Sequence, residues 1–415
     1  MLVGTLGKSI GCSYISKSFI LASRRCEPDF GRVREMETHS SKLPLKHSEL
    51  PSVSRNISVL SSFDVDCFPK NEELPLPLKS QGTFRNPWNS WRDKRLWDIL
   101  RWLTTTKDES NVPKSSYELD QLLPVHRVNR ALLEKPLKEG KFRLTWLGHS
   151  SVLAQFDGFN ILTDPVFSER CSPFQFMGPK RIRPVPCNLE DLPPLDVILI
   201  SHNHYDHLDK NTLKELLRSE KHRHAILVVP LGLKSLLNRL HLDTRTCQQI
   251  YELNWWEHVD LDGKLRVFMT PAQHWSRRTI CDTNRALWGS FAVIGSSVKF
   301  YFAGDTGYCS VFRTIGRYLG PFDCAAIPIG AYHPRWFMSP QHVDPEQAVK
   351  IHNDIGSNFS IGIHWGTFIL TNEYFLEPPQ LLRNVLASNK LHLGSFQTLR
   401  HGESTHGPYS EVQIH

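Results

Sequence analysis

Nine cysteines are spread over 415 residues without a single CxxC pair, and an odd number leaves at least one thiol unpaired. That reads as reduced thiols, as on the cytosolic side of a membrane, rather than as a disulfide framework. Other absences narrow the field further. No internal repeat is evident, and no appended basic module suggests a nucleic-acid partner. No acidic residue precedes Glu27, while Lys8, Lys17, Arg24 and Arg25 alternate with serines and apolar residues. This is the composition of a transit peptide, or of a leader ahead of a working initiator at Met36, and its apolar runs are too short to span a bilayer. What remains is ordinary for a globular chain, with 40% hydrophobic and 22% charged residues. The net charge of +7 fits attraction to anionic lipid or another phosphate-bearing partner, and equally fits simple solubility.

Composition divides the chain into a basic leader over 1–35, a Ser-, Pro- and Lys-rich linker over 36–83, a catalytic-size domain over 84–405 and a tail over 406–415. From Arg92 to Leu103 the spacing predicts a helix, with Leu96, Ile99, Leu100 and Leu103 on one stripe and Trp88, Trp91, Trp97 and Trp102 close by. Such a helix either lies on a membrane or docks on the domain by its leucines. Apolar segments at Phe142–Leu147, Val152–Phe156 and Asn160–Thr163 read as a meander of strands. Beyond it, helical and strand segments alternate as in a layered α/β domain. The stretch Lys180-Arg181-Ile182-Arg183 reads as a solvated basic loop or a phosphate contact, with the loop more common.

The chemistry concentrates in Ser201-His202-Asn203-His204-Tyr205-Asp206-His207-Leu208-Asp209, directly after the apolar run Val197–Ile200. A strand sends alternate side chains to one face, so His202 and His204 point together, and a turn brings Asp206 and His207 to a neighbouring point. One segment thereby supplies ligands to adjacent cations. Imidazole with carboxylate suits zinc or iron better than calcium or magnesium. His274, Asp305 and His364 each follow an apolar strand-like segment and extend the ligand set; Asp305, between Gly304 and Thr306-Gly307, suits a bridging position. Asp164, before Pro165, reads either as a turn residue or as a carboxylate supporting the metal shell from behind.

The pattern His202-x-His204-x-Asp206-His207 with His274, Asp305 and His364 resembles the metallo-β-lactamase fold, an αββα sandwich with a dinuclear metal site. Thr145–His149, Leu162–Pro165, Met177–Arg181, Ile200–Asp209, Gln273–Trp275, Phe302–Tyr308, Ile327–Tyr332, Pro334–Met338, Gln341–Pro345 and Ile363–Phe368 narrow the resemblance to the N-acylphosphatidylethanolamine-hydrolysing phospholipases D, over about Phe84 to Glu403. The resemblance implies one zinc on His202, His204 and His274, another on Asp206, His207 and His364, and Asp305 between them. It implies substrate contacts at Tyr205 and His342, with His342 as candidate proton donor. It further implies a homodimer at the cytosolic side of intracellular membranes such as Golgi and early endosome, while the leader suits mitochondrial targeting. Arg277 and Cys281 stand where the family's bile-acid site has lysine and methionine, and His333 where an acidic residue is expected. Two other functions remain compatible with the residues: a hydrolase of lactones, thioesters or cyclic phosphates, and a lipid-binding protein without catalysis.

Overall fold

The computed structural model describes residues 57–60, 74–240 and 250–407. Two mixed sheets form its centre. The first runs Ser404–Gly407, Phe142–Gly148, Ser151–Phe156, Phe159–Thr163, Val197–Leu199, Ile226–Pro230, Ile250–Leu253. The second runs Ile57–Leu60, His258–Leu261, Leu265–Thr270, Ser290–Ile294, Lys299–Phe302, Cys324–Pro328, Ser360–Ile363, Phe396–Gln397.

Alternation along the strands sorts the layers. Trp146, Val152, Ala154, Ile161, Val197, Leu199 and Val228 of the first sheet pack with Phe268, Phe291 and Phe300 of the second in one buried cluster. The intervening residues Leu147, Leu153, Leu162, Ile198 and Leu227 pack instead with Leu213, Leu216, Leu217, Leu233 and Leu237 from the helices Lys210–Arg218 and Leu233–Arg239. Both faces of the sheet are therefore covered, as period-two patterning demands. On the second sheet the helices Val311–Tyr318, Pro345–Asp354 and Glu377–Ser388 supply Phe312, Ile315, Val349, Ile351 and Leu382 to the core. The result is the expected αββα sandwich.

The structure amends several boundaries. Within 36–83, expected as linker, Ile57–Leu60 pairs antiparallel with His258–Leu261 at the sheet edge, and Leu78–Ser80 pairs with Thr83–Arg85. An open edge offers unpaired backbone groups, and the short apolar run at 57–60 satisfies them despite its polar surroundings. The leader and residues 61–73 lie outside the described residues. At the other end Ser404–Gly407 pairs with Phe142–Thr145, so the sheet runs past 405, and the rest of the expected tail is outside the description.

The helix expected from Arg92 begins at Leu96 and ends at Thr105. The Asp98 carboxylate accepts from the Arg95 backbone N–H, which fixes the start. Its leucine stripe is not a buried seam: no residue of this helix is fully buried, and Trp97 is 74% exposed. Trp102 docks it by stacking on Phe337, ring centroids 5.0 Å apart. The basic loop is also not solvated throughout. Arg183 is buried and pairs with Asp120, and Arg181 donates to the carbonyls of Val166 and Ser168. Only Lys180 stands out in solvent, 3.0 Å from Glu169.

Candidate metal centre

The strand Val197–Leu199 ends beneath Ser201, and the chain then coils so that His207 and Leu208 N–H groups both bond the His204 carbonyl. Asp209 closes the coil. Its carboxylate caps the helix Lys210–Arg218 through the Asn211 N–H and also receives the N–H groups of Phe167 and Ser168. The buried Arg278 guanidinium donates to the carbonyls of Asn203 and Leu208, so the motif is fastened from both sides.

Every sequence-predicted ligand meets at this point. His202 Nε2 lies 2.8 Å from His204 Nδ1, and His274 Nε2 lies 3.3 Å from the same atom. His207 Nε2 stands 3.4 Å and His364 Nε2 3.6 Å from Asp206 Oδ2. Asp305 lies between the two groups: Oδ2 is 3.1 Å from His207 and 3.8 Å from His274, and Oδ1 is 3.1 Å from His364. Three elements of the second sheet deliver these residues from their ends, Leu265–Thr270 before His274, Lys299–Phe302 before Asp305 and Ser360–Ile363 before His364. Gly304, at φ +57, permits the close approach, since a Cβ there would sit 2.7 Å from the Ser201 Cβ.

The protonation states suit metal ligands. Burial drives His202 and His274 well below the ordinary histidine range and His204 down to about 4, leaving neutral rings with a lone pair to donate. Burial opposes charge on Asp206 and Asp305, yet His207 outweighs it and holds both carboxyls well below the carboxylate range. In turn, against burial, Asp305 and Asp206 hold His207 well above its usual value and His364 up to about 9. The centre thus demands positive charge between its carboxylates. Buried ring nitrogens of His207 and His364 and the Asp305 Oδ1 have no hydrogen-bond partner in the protein, which is costly unless a cation takes their lone pairs.

A supporting layer orients the rings. Asp164 is fully buried and accepts from the Ser201 N–H, the Ser201 hydroxyl and His207 Nδ1, the last at 2.7 Å. Asp164 thus makes the contact to a ligand-type ring that the supporting reading requires. His274 Nδ1 bonds the Gln341 carbonyl at 3.0 Å. His149 is the residue sequence reasoning missed: its Nε2 lies 3.0 Å from Asp206 Oδ2, and it groups with Asp206, His207 and His364 as a possible ligand set. The signal was a histidine after Gly148 at a strand turn, with φ +52.

Of the residues expected at the substrate, His342 lies within the cluster, grouping with His274 and Asp305 as a possible ligand set, and Tyr205 lies beside it. His342 Nδ1 is 3.8 Å from Asp305 Oδ2, and burial takes its ring down to about 3. Tyr205 packs with Val166, Cys171 and Phe368, its hydroxyl donating to the Arg278 carbonyl and its ring 4.0 Å from the Arg278 guanidinium. His333 lies 4.0 Å from Glu377, and its backbone N–H bonds Glu373.

Residues 159–365 match the model of the beta-lactamase superfamily domain. The chain is 41% identical over 342 residues to N-acyl-phosphatidylethanolamine-hydrolyzing phospholipase D 1 of Caenorhabditis elegans, covering 80% of this chain and 95% of that one. It is 31% identical to the mitochondrial N-acyl-phosphatidylethanolamine-hydrolyzing phospholipase D of Saccharomyces cerevisiae, over 74% of this chain and 72% of that one. In fold it is similar to the isothiocyanate hydrolase from Delia radicum gut bacteria, with a TM-score of 0.50 and 16% identity over 63% of this chain and 98% of that one. The chain belongs to the N-acyl-phosphatidylethanolamine-hydrolysing phospholipase D family and is a metal-dependent hydrolase of the metallo-β-lactamase fold.

Proposed function

We propose that this enzyme hydrolyses N-acylphosphatidylethanolamine to N-acylethanolamine and phosphatidic acid at a membrane surface, using two zinc ions per chain with iron as the alternative metal. The observation that carries this reading is the convergence of seven ligand-type side chains in a chain 41% identical to a phospholipase D of that activity. His202, His204 and His274 would hold one ion, Asp206, His207 and His364 the other, and Asp305 would serve both. When bound, the ions would supply Lewis acidity, making water acidic enough to act as a nucleophile near neutral pH and offsetting charge on the phosphodiester.

The chain's own residues do the rest. Asp164 and His149 keep His207 and Asp206 aimed at the centre. His342 faces the substrate phosphate and hands a proton to the departing alcohol, whose alkoxide is a poor leaving group. An anion beside the ring raises the share of its protonated form. Tyr205 borders the acyl side. Exposed Leu96, Trp97, Phe174 and Phe176 supply apolar surface for a bilayer. No helix among the described residues is long and apolar enough to cross a membrane, in keeping with peripheral attachment. Homodimer assembly and residence on internal membranes belong to the same proposal, and the basic leader is compatible with the mitochondrial site that the yeast relative's name gives it.

The test is metal content and turnover measured together on purified protein. Two ions per chain are expected, with release of N-acylethanolamine from vesicles abolished in His202→Ala and Asp305→Asn. His342→Gln should lower turnover much more than metal content. Two ions with no lipid turnover would redirect the search to water-soluble esters, and a chain that takes up no metal would end the catalytic reading.

A further inference from the structure

Ahead of the exposed helix, the segment Asn86–Arg95 wraps the wall of the metal centre that carries His274 and His342. Asn86 donates to the His274 carbonyl at 2.8 Å, and the Ser90 hydroxyl donates to Gln273 Oε1. Lys94 ends this wrap. Its Nζ donates to Gln341 Oε1 and stands 4.0 Å from the centre of the Phe337 ring. Gln341 is the residue whose carbonyl holds His274 Nδ1, and its neighbour His342 is close enough for the lysine's charge to depress its ring.

Lys94 is an unusual place for a cation. An ammonium has three N–H donors. One goes to a neutral amide and one faces an aromatic ring, and Lys94 makes no ion pair among the described residues. Asp98 supports its charge only from a distance, while Arg92 opposes it. A half-buried ammonium with so little compensation is costly unless an anion completes its surroundings. The chemistry next door would supply one, since a phosphodiester drawn to the centre and reaching His342 would bring non-bridging oxygens towards this amine.

We propose that Lys94 is a substrate-binding residue, its ammonium pairing with a non-bridging oxygen of the phosphodiester and of the phosphatidic acid product. This rests on the phospholipase reading of the same centre. Gln341 and Phe337 aim the amine, and the N–H they leave uncommitted meets the anion. The ordinary consequence of such a site is a pH dependence. Burial first, then Arg92, bring Lys94 down to about 7, with Asp98 pulling the other way. Below that pH the free enzyme carries the ammonium that binds the anion. Above it the amine is neutral, so kcat/KM falls on the alkaline side.

Turnover of N-acylphosphatidylethanolamine in mixed micelles, read as kcat and KM from pH 5.5 to 9, is compared for wild type, Lys94→Met and Lys94→Arg at matched metal content. Binding of dihexanoyl phosphatidic acid to the same three proteins is measured by calorimetry. Lys94→Met should raise KM at pH 6.5 by about tenfold or more, the scale of one charge-assisted hydrogen bond. It should also remove the alkaline fall and weaken phosphatidic acid binding to a similar degree. Lys94→Arg, whose guanidinium stays charged, should restore binding and move the alkaline fall above pH 9. Wild type that binds phosphatidic acid more tightly than Lys94→Met, yet turns over no substrate, would overturn the phospholipase reading and leave the anion contact standing. Equal KM, equal pH profile and equal phosphatidic acid binding in wild type and Lys94→Met would overturn the contact, as would wild type that binds no phosphatidic acid.

Discussion

Asp164 does its work without touching the reacting groups. It takes three hydrogen bonds in a fully buried position, and one of them fixes which nitrogen of His207 is free to face the centre. Partners of this kind typically set metal affinity by one or two orders of magnitude when removed. Asp164→Asn keeps the shape but offers one oxygen acceptor where the native carboxylate offers two. We expect metal affinity to fall by about ten- to a hundredfold, with the folded state retained, measured by competition against a chromophoric chelator. Unchanged affinity would reduce Asp164 to a turn residue. At this scale the sequence was readable where ligands are local: His202, His204, Asp206 and His207 share one turn, so spacing alone revealed them. His149 was not readable, because its partner Asp206 lies 57 positions away and only the packing of the two strand ends brings them to 3.0 Å.

Strand ends rather than whole strands build the centre, and glycine decides how close they come. Gly304 lets the end of Lys299–Phe302 approach Ser201, whose side chain bonds both Asp164 and His202. An alanine would place its Cβ 2.7 Å from the Ser201 Cβ and 3.1 Å from the Gly289 carbonyl, at a backbone φ of +57. The strain and the collision both act on Asp305, one residue on. Gly304→Ala should therefore cost about 2 kcal/mol or more of stability and lower metal content, read by denaturant unfolding and elemental analysis. Full metal occupancy in a stable variant would show that the loop yields without moving Asp305. The elements around these ends were largely legible, since the meander from Phe142 to Thr163 and the strand Ser290–Ile294 are short apolar-rich runs bounded by turn residues. The edge strand Ile57–Leu60 was not, because four residues in a polar context carry too little pattern, and its partner is some 200 residues downstream.

The sandwich as a whole puts the metal centre at one end of both sheets, and two exposed apolar patches lie on elements that reach its wall. One holds Leu96 and Trp97 of the helix docked through Trp102 on Phe337, the residue that also carries Lys94. In the other, Phe174 and Phe176 stack on each other, 51% and 80% exposed, in the loop that follows Cys171, itself packed with Phe368 and Tyr205. Substrates with long acyl chains do not leave a bilayer at a useful rate, so on the proposed reading apolar surface near the centre would let the enzyme work there. On that reading the net charge of +7 would add an attraction to anionic lipid that salt weakens. Exposed tryptophan and phenylalanine would supply the part that salt does not weaken. Trp97→Ala combined with Phe176→Ala should cut co-sedimentation with phosphatidylserine-containing vesicles at 0.5 M salt by about tenfold, since two large aromatic contacts with the interface are lost. Hydrolysis of a short-chain, water-soluble analogue should be unaffected, because neither ring touches the metal ligands. Equal vesicle binding by the double variant would place the membrane contact elsewhere on the molecule, and loss of the soluble activity as well would mean that these residues shape the centre rather than deliver it to the lipid.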